Sequence, residues 1–139
     1  MADTGILIRT KLAATTAVTD LVSTRIRPDA LVQNDTLPAI AYVEPTSEHM
    51  HGLAGVEGTV VGTVSVGCFD STRIGANALA EQVRLALDCF RGTIGTDYVK
   101  SILLIDRLKQ YEVPVDGSDS GRYITTLTFE VVTSETIPT

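Results

Sequence analysis

The sequence predicts an α+β fold in which two main helices pack on a mixed or antiparallel β-sheet, with a protruding β-hairpin arm. Three observations predict it. From Glu57 the chain alternates in a strand pattern and then passes into an amphipathic helix that ends near Gly92. A second helical pattern occupies the first 22 residues. The last third reads as two long strand patterns flanking a polar, glycine-containing turn.

The first helix is expected from an Asp3 or Thr4 cap to about Val22, because Ile8, Leu12, Thr15, Val18, Leu21 and Val22 recur at spacings of three and four. Ala13 to Ala17 are small, so this turn can approach another backbone closely. Ser23 to Arg25 ends the helix, and Arg27-Pro28-Asp29 reads as a turn. Leu37 to Val43 is a second extended segment, with Pro38 tolerated at its start and Pro45 closing it. Residues 46–58 are polar and glycine-rich and read as a flexible arm that supplies no core, although Met50 and Leu53 would be exposed there unless a partner covers them.

In the next strand Val60, Val64, Val66 and Cys68 fall on one face, and Thr59, Thr63, Ser65 and Phe69 on the other. Asp70, Ser71 or Thr72 caps the helix that follows, whose apolar stripe is Leu79, Val83, Ala86, Leu87 and Phe90. Gly92 is placed to stop it. Asn77, Glu81, Arg84, Asp88 and Arg91 form the opposite, outward face, with Glu81 and Arg84 near enough to pair. From Tyr98 to Val115 apolar residues occur at both parities, which predicts a strand covered on both faces. Asp116 to Gly121 is the strongest turn signal, Arg122 to Thr133 is the last strand, and residues 134–139 form a tail.

At 139 residues the chain is expected to be one domain able to bury about two thirds of its unfolded surface without a disulfide or metal staple. A mean hydropathy of +0.20 is slightly apolar and hints at buried subunit contacts. The net charge of −6 and the scatter of the 11 Lys and Arg residues disfavour binding to nucleic acid by charge. Cys68 and Cys89 are expected as buried thiols rather than as a disulfide framework. No secretory leader or membrane-spanning run is visible, so folding in a reducing cytoplasm is expected.

Candidate chemistry is sparse. His49 and His51 could place two imidazoles on one side of an extended segment, but a third ligand is missing nearby and the solvated reading is favoured. Neither histidine has a nucleophile partner. Asp116 to Gly121, including Asp119, offers oxygen ligands, yet no Glu closes a calcium loop and a hairpin turn explains the same residues. Gly52-x-x-Gly55-x-x-Gly58 enters a strand rather than a helix, so it is not a phosphate loop. Ser71-Thr72-Arg73 at a helix start is accounted for by capping. No catalytic residue, cofactor or metal is expected.

The order of blocks carries more information. A helix from Leu12 to Val22 leads to Arg25-Ile26-Arg27-Pro28, then to Leu37-Pro38-Ala39-Ile40-Ala41-Tyr42-Val43. The arm follows, then Val64-Ser65-Val66, Ala78-Leu79-Ala80-Glu81-Gln82-Val83, Ala86-Leu87 and the hairpin. Over nearly its whole length this chain resembles the tail terminators, the small tail-completion proteins of long-tailed bacteriophages and phage-like gene transfer particles. The resemblance implies helices on a mixed or antiparallel sheet and a homo-oligomeric ring, a hexamer, on the head-proximal end of the tail tube. One ring face would stop the tail tube protein, and the other would receive the head–tail connector or stopper. DNA would pass through the lumen without sequence-specific binding. Such a protein is a virion component assembled in the bacterial cytoplasm, has no catalytic residues and no membrane partner.

On that expectation the contact candidates are His49, Met50, His51, Leu53, Thr59, Thr63, Glu81, Arg84, Asp116 and Asp119. Two alternatives remain beside it. One is a head-completion or stopper protein of the same neck region. The other, of a different class, is a small metal- or ligand-binding domain using His49, His51 and Asp116.

Overall fold

A computed structural model describes residues 4–31, 36–52, 55–94, 97–113 and 121–134, of which 4, 44–52, 55–58 and 97 are described by their backbone. The element order is α1 (Thr4–Ala13), α2 (Thr16–Val22), β1 (Ile26–Pro28), β2 (Ala39–Gly52), β3 (Gly55–Asp70), α3 (Arg73–Leu87), β4 (Gly92–Ile94), β5 (Asp97–Glu112) and β6 (Arg122–Ser134). The strands form a sheet in the order β1-β2-β3-β6-β5-β4. Pairing is antiparallel except between β1 and β2, so the sheet is mixed. The α+β expectation holds.

The helices lie against one face of the sheet. Ile8 and Leu12 of α1, Val18 and Val22 of α2, and Leu79, Val83 and Leu87 of α3 are fully buried. They meet Ile40, Val64, Val66, Cys68, Val99, Ile102, Leu127, Phe129 and Val131 of the strands in one core. Each fully buried aliphatic or aromatic side chain contributes about 1.5–3 kcal/mol relative to exposure, so this layer supplies the driving force for folding. The face of β3 assigned inward is inward: Val60, Val64, Val66 and Cys68 are all buried. Burial also raises the Cys68 thiol far above its ordinary pKa, leaving it protonated and inert.

Several expectations are corrected. The single first helix is two, because Thr15 turns extended (φ −97, ψ 110) while its hydroxyl donates to the Lys11 carbonyl. Threonine competing locally for the backbone ends a helix in this way. Thr15 is half-buried and Leu21 is exposed, and Leu7 joins the core instead. Arg27-Pro28 is no turn but part of the short parallel strand β1, and the reversal comes at Asp29, whose φ is +68. Pro45 does not close β2. The strand runs on to Gly52, and Glu44 and Pro45 together oppose Val64 in a β-bulge, where a missing N–H costs no ladder bond.

At the start of α3, the Thr72 hydroxyl accepts from the Gly75 amide at 3.0 Å, as capping predicts. A Cβ at Gly75 would overlap the Asp70 carboxylate, which is why glycine suits that first turn. Gly92 does not end the helix. Asp88 leaves helical geometry and Cys89 takes a φ of +64, while Gly92 opens β4. Cys89 is exposed rather than buried. Asn77, assigned outward, accepts a 2.9 Å hydrogen bond from Thr125 of β6 and so faces the sheet.

The largest correction concerns β5, expected to be covered on both faces. Val99 and Ile102 are buried, but Leu103, Ile105, Leu108, Tyr111 and Val113 are all at least 44% exposed. Two β-bulges, at Lys100 and Ile105, shift the phase and produce the mixed parity. The turn at Asp116–Ser120, Leu53 at the tip of the arm, Asp3 and the tail at 135–139 lie outside the described residues. The hairpin joining β5 and β6 is nevertheless explicit in their pairing, from Val99↔Thr133 to Glu112↔Arg122.

Candidate interaction surface

The helices cover one face of the sheet, and the other face is a band of alternate residues centred on the two middle strands, β3 and β6. On β3 it comprises Thr59, Val61, Thr63 and Ser65, and on β6 Thr126, Thr128, Glu130 and Val132, all half-buried by their neighbours along the sheet. Their registers place Thr63 opposite Glu130 and Ser65 opposite Thr128. The Ser65 and Thr128 hydroxyls lie 3.3 Å apart, and Lys100 of β5 donates to the Thr59 hydroxyl at 2.7 Å. Threonine and valine dominate because both suit a pleated surface. The face offers hydroxyls and methyls, with Glu130 its single carboxylate on β3 and β6 between Thr59 and Ser134.

Among the described residues the sequence-predicted contact residues fall in three places, the third being Glu81 and Arg84 on α3. Thr59 and Thr63 lie on this bare face. His49, Met50 and His51 lie on the outer part of β2, in register with Val60, Thr59 and Val56. Leu53, Asp116 and Asp119 are outside the described residues. Among the described residues Gly55 and Val56 pair with Gly52 and His51 of β2, and β6 joins β3 only from Thr59 on, so the described part of the stretch read as an arm pairs as two strands.

Glu81 and Arg84 do pair. Arg84 Nε lies 3.2 Å from each carboxylate oxygen of Glu81, and its Nη2 lies 2.5 Å from Oε1. Arg107 of β5 approaches Glu81 at 4.0 Å, and Asp88 lies 3.9 Å from Arg84. The Arg84 hydrogen bonds hold the Glu81 carboxyl below the usual carboxylate range. This network is exposed, so its energetic worth is small. Its geometric effect is to tie α3 to the open end of β5.

The turn after α3 secures the other end. Asp88 Oδ1 accepts from the Leu104 amide at 3.0 Å, the Cys89 amide donates to the Ile102 carbonyl at 2.7 Å, and the Ile102 amide donates to the Phe90 carbonyl at 3.1 Å. Sequence reading missed this closure, since the only signal was an aspartate at the end of a helix pattern. It also missed Arg107 and the exposed apolar row of β5, whose bulges no periodicity count anticipates.

Nothing resembling a reaction centre accompanies these features among the described residues. A shallow cavity of about 260 Å³ between α1, α2 and β1 is lined by Arg9, Ala13, Thr19, Ser23, Thr24 and Ile26, with a single titratable side chain. No group of three His, Cys, Asp or Glu side chains capable of holding a metal occurs among the described residues. No helix there is long and apolar enough to cross a membrane.

No family model matches the chain, and no curated protein matches it in sequence. Among solved structures, it is similar to a chain in the virion of a native gene transfer agent particle, with a TM-score of 0.68 at 13% identity, covering 94% of both chains. At that identity the likeness establishes a shared fold.

Proposed function

We propose that the protein is a structural, non-enzymatic subunit of a phage-like virion that assembles as a ring, a hexamer, closing the tail tube and joining the tail to the head connector. The observation that carries this reading is the fold shared over nearly the whole of both chains with a component of a gene transfer agent virion. The block order of the sequence points to the same class by an independent route. One ring face meets the tail tube protein, the other meets the connector or stopper, and DNA passes through the lumen. The net charge of −6 suits a conduit, since an acidic wall repels the phosphate backbone and lets it slide.

The contact surface on this reading comprises the arm with His49, Met50, His51 and Leu53, the bare sheet face with Thr59 and Thr63, the Glu81–Arg84 pair, and the turn with Asp116 and Asp119. A fold shared with a virion component is equally compatible with a second reading, a head-completion or stopper ring of the same neck. Tube contact discriminates the two. The test is co-sedimentation of the purified protein with preassembled tail tubes, followed by imaging of tube ends: caps on one end support termination, and a ring that ignores tubes but binds the connector supports the stopper. A protein that binds neither overturns both.

A further inference from the structure

β5 is closed along its outer edge at one end and open at the other. Near Val99 and Ile102 its edge is taken by β4 and by the Asp88–Phe90 turn. From Asp106 to Glu112 its one strand partner among the described residues is β6. The opposite edge of the sheet is arranged conversely: β1 covers Ile40–Tyr42 of β2, and beyond the bulge Thr46–Gly52 pairs with β3 alone among the described residues.

We propose that these two free edges are partners across copies: the Asp106–Glu112 edge of one subunit adds antiparallel to the Glu44–Gly52 edge of the next, joining their sheets head to tail. The inference rests on the ring reading above and names the surfaces that close the ring. Because the joined surfaces differ, the contact is heterologous, the kind that generates rings.

Direction permits it. Antiparallel pairing of β2 with β3, β3 with β6 and β6 with β5 makes β2 and β5 run oppositely. A neighbour in the same orientation therefore presents its β2 antiparallel to β5. Leu108 at 50% exposure and Tyr111 at 46% stand on the open stretch, large side chains left in water on an edge whose one strand partner among the described residues is β6.

The offset of the two edges fits closure. Leu108 is level with Thr126 and so with Gly67, whereas Thr46 and Glu48 are level with Thr63 and Val61. Bringing Leu108 opposite Thr46 or Glu48 moves the next copy four to six residues along the strands, about 13–20 Å, and four strand spacings sideways, about 19 Å. Strands in a ring built by that step tilt about 35–45° from its axis, the usual tilt of closed sheets.

The test uses the full chain with Cys89→Ser as background. Leu108→Cys and Thr46→Cys or Glu48→Cys proteins, each carrying one of these substitutions, are mixed and oxidised. A disulfide-linked pair in the ring fraction is expected, with none when Ile74→Cys on the outer side of α3 replaces Leu108→Cys. Leu108→Asp, which places a charge opposite Thr46 or Glu48 at the joint, is expected to weaken association about tenfold or more, and Ile74→Asp on the outer side of α3 to leave it unchanged. Circular dichroism checks that each variant is folded. Rings that form normally in Leu108→Asp, with no cross-link in the cysteine variants, overturn the edge pairing while leaving the ring intact. A wild-type chain that stays monomeric even with tail tubes present overturns the ring reading, and the edge pairing with it.

Discussion

The two faces of the sheet are made by the same strands and differ in almost everything else. On β6, Leu127, Phe129 and Val131 are fully buried beneath the helices, while their neighbours Thr126, Thr128, Glu130 and Val132 stay half-exposed on the bare side. Alternation along the strand is the whole cause. The covered face explains why the chain folds. The bare face and the open edge of β5 add little to folding, and that frees them to meet other chains. On the proposed function, assembly chemistry would belong to a surface that can be altered without unfolding the protein.

Breaking the covered face should have the largest effect. Phe129→Ala removes the bulkiest fully buried side chain, and thermal or urea unfolding should register a loss of about 3–5 kcal/mol. Thr72→Ala removes the cap of α3 and should cost about 1 kcal/mol in the same assay. Thr133→Val should move the other way, by about 1 kcal/mol, because the buried Thr133 hydroxyl has no hydrogen-bond partner among the described residues.

Substitutions on the bare side should barely register in unfolding. Thr63→Lys is expected to change stability by less than about 0.5 kcal/mol while reducing assembly into rings, read by sedimentation. A large stability loss there would break the contrast between the faces. The smallest effect is the pH response of the Glu81–Arg84 pair. The Glu81 carboxyl is depressed by its hydrogen bonds to Arg84, so its contribution is present above the ordinary glutamate pKa and fades as pH falls through the depressed value. Comparing the acid limb of the stability curve with that of Glu81→Gln should reveal a slight difference, lost in high salt.

How much of this was legible in the sequence follows from how local each signal is. The face of β3 and the stripe of α3 were readable because period and capping are set by neighbours in sequence, as Thr72 demonstrates. The break at Thr15 was hidden, since a hydroxyl bonding to the backbone four residues earlier leaves the apolar spacing intact. Pro45 misled for a related reason: whether proline ends a strand or sits in a bulge depends on the partner strand. β5 was the least legible element. Its bulges at Lys100 and Ile105 and its dependence on Asp88 and Arg107 are tertiary, and no window of sequence contains them. Of the contact candidates, Thr59 and Thr63 fell on the bare face as the alternation required, whereas Arg107 and Leu108 became visible through the fold alone.

The central claim is that this chain is built to assemble with itself and with a tail. Native mass measurement of the purified protein, alone and mixed with tail tube protein, tests it most directly. A discrete closed oligomer, six copies on this account, that caps tube ends is the predicted result. A strict monomer at every concentration, with no retention on the tube, would contradict it.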